Sequence, residues 1–182
     1  MPDASAPNGA APLPLALRRL HWASAALLVA MFALAWTFEA LGPSDLGAAL
    51  VDWHRSFGLL LLAVVIARLV WRLTHKVEPI PPGIPAWERW LAAAVQGALY
   101  LLLVAMPLLG WAASAATGDV VRAFGLPLPE ILPMDEDLGD RLFQIHGTLA
   151  WVLLALVALH VAGAVRHHFV HRDGLLARMR IG

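Results

Sequence analysis

Four long apolar stretches, separated by shorter polar segments, dominate the sequence. They cover about residues 20–41, 53–73, 90–116 and 142–166. A helix needs about 20 mostly apolar residues to cross the ~30 Å hydrocarbon core of a bilayer, and each stretch is long enough. The pattern predicts an all-α integral membrane protein, with residues 20–182 forming a single four-helix bundle.

Tryptophans mark the ends of these stretches, where an amphipathic ring is favoured at the level of the lipid headgroups. They are Trp22, Trp36, Trp53, Trp71, Trp87, Trp90 and Trp111, whereas Trp151 lies inside the fourth stretch. The Ala- and Pro-rich residues 1–19 are expected to be a flexible N-terminal tail. The apolar run after Arg18 and Arg19 is too long for a signal-peptide core and lacks a small-residue cleavage site, so we interpret it as a retained first helix.

The distribution of lysine and arginine predicts the orientation, because cytoplasmic loops carry an excess of both. With the N-terminus inside, ten of these residues lie on the inner side and three on the outer side. The inner ones are Arg18, Arg19, Arg68, Arg72, Lys76, Arg89, Arg166, Arg172, Arg178 and Arg180; the outer ones are Arg55, Arg122 and Arg141. Both termini are therefore predicted to be cytoplasmic, in the inner membrane of a bacterium.

Two connections have informative compositions. Residues 79–85 contain four prolines and cannot be helical, which predicts an inner hairpin connection. Residues 117–140 form the longest connection, on the outer side, and their apolar residues 124–129 are expected to lie as a cap on the bundle.

Composition narrows the classes of function. The chain is 60% hydrophobic with a mean hydropathy of +0.70, which disfavours a soluble globular protein, and its zero net charge gives no reason to expect nucleic acid as a partner. The absence of cysteine excludes disulfides, iron–sulfur ligation, thiolate haem ligation and covalent c-type haem attachment.

Four histidines fall within the apolar stretches, where an ionisable residue indicates function. His21 lies near the inner end of the first stretch and His54 near the outer end of the second. The fourth stretch carries both His146, toward the outside, and His160, toward the inside. Each of two depths therefore receives a pair.

The spacing on the fourth stretch supports this interpretation. His146 and His160 are 14 residues apart, close to four helical turns, so both imidazoles face one way with a separation of ~21 Å. We expect the pairs His54–His146 outside and His21–His160 inside, with Gly58, Gly147 and Gly163 admitting a flat macrocycle close to the backbone.

Two other interpretations of the four histidines are less favoured. A single histidine here would more often be an interfacial side chain bonded to a carbonyl or headgroup, but four at two matched depths favour ligation. Zinc or copper sites need three or four converging ligands, whereas two imidazoles per depth suit a haem. The remaining histidines, His75, His167, His168 and His171, are expected to be solvated or to face headgroups, and Arg68 and Arg72 to extend toward the inner interface.

The sequence resembles the bacterial cytochrome b561 family over most of its length, from Arg19 to Met179. The matching motifs are Leu20-His21-Trp22, Trp53-His54-Arg55-Ser56-Phe57-Gly58, Leu99-Tyr100, Met106-Pro107-Leu108-Leu109-Gly110-Trp111, the pair His146 and His160, and the ending His167-His168-Phe169-Val170-His171-Arg172-Asp173-Gly174-Leu175-Leu176-Ala177-Arg178-Met179. The resemblance implies a membrane cytochrome with two non-covalent haems b, held by His21, His54, His146 and His160, that exchanges electrons with the quinone pool.

One residue departs from the family pattern. Gln96 stands where related chains often have a histidine, and its amide is not a plausible haem ligand. For the inner side we name Arg166, His167, His168 and Gln96 as candidates to bind ubiquinone, another quinone or a haem propionate.

Two axial histidines saturate the iron, which favours electron transfer over oxygen binding. We expect a periplasmic donor to reduce the outer haem and a quinone to accept electrons inside. Some members of the family are regarded as superoxide oxidases, and Arg55, Arg122 and Arg141 could attract that small anion. A membrane-anchor subunit of a larger dehydrogenase or hydrogenase, a partner of a periplasmic redox protein, and a transporter or proton channel with histidine relays stay as alternatives.

Overall fold

The computed structural model describes residues 12–75 and 84–180, which form one bundle of four long helices. They are α1 (Leu15–Leu41), α2 (Asp45–Thr74), α3 (Ala86–Ala116) and α4 (Glu136–Arg166). Each is long and apolar enough to cross a membrane. The predicted all-α membrane bundle is confirmed. Residues 1–11 of the predicted tail and most of the proline-rich connection lie outside the described residues.

Every helix extends beyond the apolar stretch that predicts it. α1 begins at Leu15, directly after Pro14, so the last part of the predicted tail is helical. α2 and α4 begin with polar turns: the Ser44 hydroxyl accepts a hydrogen bond from the Gly47 amide, and the Asp135 carboxylate accepts one from Leu138. Such caps satisfy amide groups at a helix start. The length of an apolar stretch predicts the membrane-embedded part of a helix but not these polar ends.

The helices pack as two hairpins. α1 packs along α2, α3 packs along α4, and α2 and α3 join the hairpins. Leu61, Val65, Leu103, Met106 and Leu153 form the buried core between them. By contrast, the described backbone of α4 makes few or no close contacts with α1 or α2. Space therefore separates α4 from the two helices that carry the partner histidines.

The outside of the bundle is apolar. Val29, Leu73, Leu101 and Trp151 are each between 66% and 77% exposed, and few residues of any spanning segment are buried. A soluble protein rarely exposes so much contiguous apolar surface. These side chains are placed to contact lipid.

We call the end of the bundle that holds residues 42–44 and 117–135 the loop side. A two-stranded antiparallel hairpin, β1 (Arg122–Ala123) and β2 (Leu126–Pro127), lies there. Its turn places Phe124 against Trp53 and Phe57, and the Phe124 amide donates a hydrogen bond to the Ser56 hydroxyl. The connection therefore caps the start of α2, as the sequence predicts.

The opposite end, which we call the termini side, holds the start of α1 and the end of α4. α4 continues as a π-helical turn at His167–His171 and then a 3₁₀ turn at Ala177–Met179. The chain then returns to α1: the Leu13 amide donates to the Arg178 carbonyl, and the Trp22 indole donates to the Met179 carbonyl. These bonds fasten the C-terminal segment across the first helix.

Candidate functional site

The structure brings the four intramembrane histidines together in the two predicted pairs. On the loop side, the ring centres of His54 in α2 and His146 in α4 are 6.4 Å apart, with an interplanar angle of 68°. On the termini side, the rings of His21 in α1 and His160 in α4 are 6.2 Å apart, at 64°. The two pairs have nearly the same geometry, although the partner of α4 is α2 in one pair and α1 in the other.

These separations fit two imidazoles that share one metal ion. An imidazole nitrogen binds a transition metal at about 2.0–2.1 Å and lies about 1.1 Å from its ring centre, so two trans ligands have ring centres about 6 Å apart. Each pair therefore has the ring separation expected of two imidazoles that hold one ion.

The rest of each coordination sphere must come from another source. Within residues 12–75 and 84–180, no three or more His, Asp or Glu side chains are grouped so that they could hold a metal ion. Zinc and copper sites are completed by three or four protein ligands. A macrocycle that supplies the equatorial donors suits a two-histidine site, so the residues present fit a haem.

The Nδ1 atoms of the same rings are buried without a well-formed hydrogen bond in three of the four histidines, namely His21, His54 and His146. The backbones of Met31 and Met106 are near the rings of His54 and His146. A ligating imidazole usually donates its second nitrogen to an acceptor of this kind, which fixes the ring orientation.

A cavity of about 540 Å³ surrounds the loop-side pair. Apolar and aromatic side chains from all four helices form most of its wall, which is typical of a site for a large flat cofactor. Its polar groups include Arg55, Glu39 and Trp111. The Trp111 indole nitrogen is buried and has no hydrogen-bond partner among the described residues, so it is available to a polar group bound in the cavity.

Glycines keep this cavity open. A Cβ atom added at Gly110 would lie 3.2 Å from Cε1 of His146, which is closer than side chains usually approach. A Cβ at Gly147 would meet open space, and Gly147 lines the cavity. Gly58 also lines the cavity and allows Met31 to approach α2, while Gly163 faces open space. Of the three glycines that the sequence suggested, Gly58 and Gly147 therefore line the cavity, and Gly110 is a further one.

A cation lies beside the termini-side pair. Arg68 in α2 is close enough to interact electrostatically with both His21 and His160. Its guanidinium lies over the Tyr100 ring, 5.4 Å from the ring centre. Arg68 was expected to extend to the interface, but it turns into the bundle because the face of Tyr100 attracts a cation at this depth. Arg72, one turn later, is exposed and donates to the Gln96 amide oxygen at 3.2 Å.

The candidate residues at the end of α4 contact carboxylates. Arg166 pairs with Glu88 of α3 at 2.9 Å, and the His171 ring nitrogen lies 2.8 Å from the other Glu88 oxygen. His167 lies 2.6 Å from Asp173. Arg166 and His167 are thus held in an ionic network on the termini side. His168 is exposed beside Phe169.

The three outer arginines lie in different places. Arg55 lines the loop-side cavity and pairs with Asp119 and, at 3.6 Å, with Asp52. Arg122 and Arg141 are exposed, and Arg122 points back to its own hairpin, where it donates to the Gly125 carbonyl at 3.5 Å. Of these three, Arg55 alone is part of the cavity wall.

Sequence reasoning missed Glu88, Tyr100 as a partner of Arg68, and Trp111 as a polar group of the cavity. Glu88 offered one signal, since it is an acid at the start of an apolar helix among basic residues. Tyr100 and Trp111 entered only as parts of motifs, because a pattern along one helix does not say which neighbouring helix its side chains face.

Known proteins of one family are similar to this chain over most of its length. The profile of the prokaryotic cytochrome b561 family matches residues 13–182. Cytochrome b561 homolog 2 of Escherichia coli is 33% identical over 170 residues, covering 87% of this chain and 86% of its own. A probable superoxide oxidase CybB of Yersinia pestis is 29% identical over 163 residues, covering 88% and 90%, and cytochrome b561 homolog 1 of Escherichia coli is 27% identical over 162 residues, covering 88% and 92%.

The family match covers all four membrane helices and the C-terminal turns, including both histidine pairs. It implies haem b as the cofactor and electron transfer in a membrane as the task. The chain belongs to the prokaryotic cytochrome b561 family.

Proposed function

We propose that the chain is a di-haem electron-transfer protein that carries electrons across the bacterial inner membrane, from a donor in the periplasm to the quinone pool. The observation that carries this proposal is the two histidine pairs, which we call the loop-side and termini-side clamps. Their ring centres are 6.4 Å and 6.2 Å apart, at opposite ends of the bundle. His54 and His146 would hold one haem b, and His21 and His160 the other. Haem iron supplies reversible one-electron chemistry when it is bound.

The protein's own residues determine what that chemistry does. His54 with His146, and His21 with His160, would hold the iron without leaving a position for oxygen, so the sites would be suited to electron transfer. The wall of the loop-side cavity is mostly apolar, and α4 holds its two histidines ~21 Å apart along one rigid helix. Rigid spacing across the membrane is what a path for electrons between two surfaces requires.

Superoxide is the donor we propose. A curated relative of similar length is named a probable superoxide oxidase. In such a reaction two superoxide anions lose one electron each and become O2, while a quinone gains two electrons and two protons and becomes a quinol. Arg55 is the cation at the loop-side cavity, and its guanidinium would attract a small anion toward His54 and His146.

We place the loop side in the periplasm and the termini side in the cytoplasm, from the asymmetry of lysine and arginine. The quinone would then bind near the termini-side pair. Gln96, held by Arg72, and the exposed His168 are the candidates to contact it, whereas Arg166 and His167 are engaged with Glu88 and Asp173.

The proposal is tested by rapid mixing of the purified, haem-loaded protein with superoxide, with haem absorbance as the readout. Reduction within milliseconds, followed by reoxidation when a soluble ubiquinone analogue is added, is expected. The matched control is His54→Ala, which should abolish fast reduction by removing the loop-side clamp. A wild-type protein that holds two haems yet is reduced by superoxide no faster than the control would contradict superoxide as donor.

A further inference from the structure

In each of the two helices that carry a loop-side histidine, a second polar residue follows that histidine at the same distance along the chain. In α4, His160 follows His146 by 14 residues; in α2, Arg68 follows His54 by the same 14 residues. Because 14 residues are close to four helical turns, Arg68 lies on the same stripe of α2 as His54, about 21 Å further along the bundle. The face of α2 that carries His54 at the loop-side pair therefore carries Arg68 at the level of the termini-side pair.

Arg68 is a partly buried cation beside His21 and His160. No Asp or Glu of the described part of the chain forms an ion pair with it. Its Nε atom is buried without a hydrogen-bond partner. Leaving a charged group buried and unpaired is costly, so native proteins nearly always provide a counter-charge.

Tyr100 of α3 also has a polar group without a hydrogen-bond partner. Its ring lies under the Arg68 guanidinium, and its hydroxyl is buried and also has no hydrogen-bond partner. A guanidinium can only donate, whereas a phenolic hydroxyl can donate and accept, and these two groups form no hydrogen bond with each other. What they lack together is an acceptor, preferably an anionic one, and charge-assisted bonds to a carboxylate are strong.

We propose that Arg68 and Tyr100 bind a propionate carboxylate of the haem held by His21 and His160, and that Arg68 thereby raises the reduction potential of that haem. The inference rests on the proposed two-haem function. All four helices then contribute one residue at this level: α1 His21, α2 Arg68, α3 Tyr100 and α4 His160. The loop-side haem has a different polar environment, which contains both Arg55 and Glu39.

The effect on potential follows from charge. Ferric haem carries one more positive charge than ferrous haem, so a fixed cation nearby favours the reduced form. Without Arg68 the propionate would lie in the bundle as an uncompensated anion and would stabilise the ferric form. The potential of the termini-side haem should therefore fall, and it should depend more strongly on pH because the unpaired carboxylate takes up a proton on reduction.

The test is a potentiometric titration of the purified, haem-loaded protein, followed by optical spectra, for Arg68→Gln, Arg68→Lys and Tyr100→Phe. We expect Arg68→Gln to shift one of the two haems to lower potential and leave the other unchanged. Arg68→Lys keeps the positive charge and should leave the potential close to that of the wild type. Tyr100→Phe should lower the potential by less than Arg68→Gln does. Arg89→Gln, which changes an exposed arginine at the termini-side start of α3, is the control and should leave both potentials unchanged.

The affected haem is identified with His160→Ala, which should remove the component that shifts. A wild-type protein with fewer than two haems would refute the proposed function itself. A wild-type protein with two haems, together with an Arg68→Gln variant whose two potentials are unchanged, would refute the present inference alone. If Arg68→Gln altered only the rate of oxidation by a ubiquinone analogue, the acceptor would be a quinone carbonyl, and the haem propionate would be the wrong ligand.

Discussion

Gly110 of α3 lies directly against the His146 ring of α4, so close that a Cβ atom at this position would be 3.2 Å from Cε1 of the ring. Pro107, one turn earlier, also lines the cavity. The absence of a side chain at Gly110 therefore sets where the His146 imidazole can lie. This contact links the packing of α3 on α4 to the geometry of the loop-side clamp.

Substitution of this glycine should disturb the loop-side haem selectively. We expect Gly110→Ala to change its reduced spectrum and Gly110→Val to lower its occupancy, since the added methyl groups push His146 off the axis shared with His54. Reduced-minus-oxidised spectra and haem content per chain measure the effect. Gly97→Ala is the matched control: it lies in the same helix, a Cβ there would meet nothing within 4 Å, and the gain in helix propensity of about 1 kcal/mol is the same. An equal response of both variants would show that the contact with His146 is unimportant.

Removal of one histidine from each clamp should remove one haem from each end. Starting from two haems per chain, we expect His54→Ala and His160→Ala each to retain about one, because a single imidazole binds a haem much more weakly than two. A pyridine haemochrome assay against protein concentration gives the stoichiometry. His75→Ala is the control, since that ring is exposed and stacks on Trp71, and it should keep both haems. Loss of both haems in either ligand variant would mean that the two sites are not independent.

The histidine pairs could be predicted from the sequence because membrane depth is a one-dimensional quantity. The length of an apolar stretch and the direction of its helix fix how deep His21, His54, His146 and His160 lie, and equal depth on different helices predicts proximity. The helix count follows from the same argument. The four-turn spacing from His146 to His160 also predicts that both side chains lie on the same face of α4.

The side-chain partners could not be predicted in this way. Arg68 and Arg72 are one turn apart and look equivalent in the sequence, and both reach α3, where Arg68 lies over the Tyr100 ring and the exposed Arg72 donates to Gln96. Which residue of α3 each arginine contacts depends on the rotation of α2 against α3. That rotation is set by packing of the core residues, which an apolar pattern does not encode.

Glu88 illustrates the same limit and leads to a prediction about the termini side. Its two carboxylate oxygens bind Arg166 and His171, so one residue of α3 holds both the end of α4 and the π-helical turn. We expect Glu88→Gln to loosen the C-terminal segment, because a neutral amide cannot neutralise both partners. The chain has no cysteine, so a cysteine introduced at Ala177 reports on this segment through its rate of reaction with a maleimide in detergent.

That rate should rise severalfold when Glu88→Gln is added to Ala177→Cys. The control is Glu130→Gln in the same background, since Glu130 is an exposed acid on the loop side and its change should leave the rate unaltered. An unaltered rate with Glu88→Gln would show that the bonds of Leu13 and Trp22 to the last turn hold the segment without the carboxylate.

The orientation of the bundle is the remaining prediction, and the absence of native cysteine makes it directly measurable. Because lysine and arginine are retained on the cytoplasmic side, the termini side should face the cytoplasm. In spheroplasts, a membrane-impermeant maleimide should label Glu130→Cys at once and Ala177→Cys only after the membrane is permeabilised. The reverse order would place the Arg55 cavity on the cytoplasmic side, out of reach of superoxide in the periplasm, and the direction of electron flow proposed here would have to be reversed.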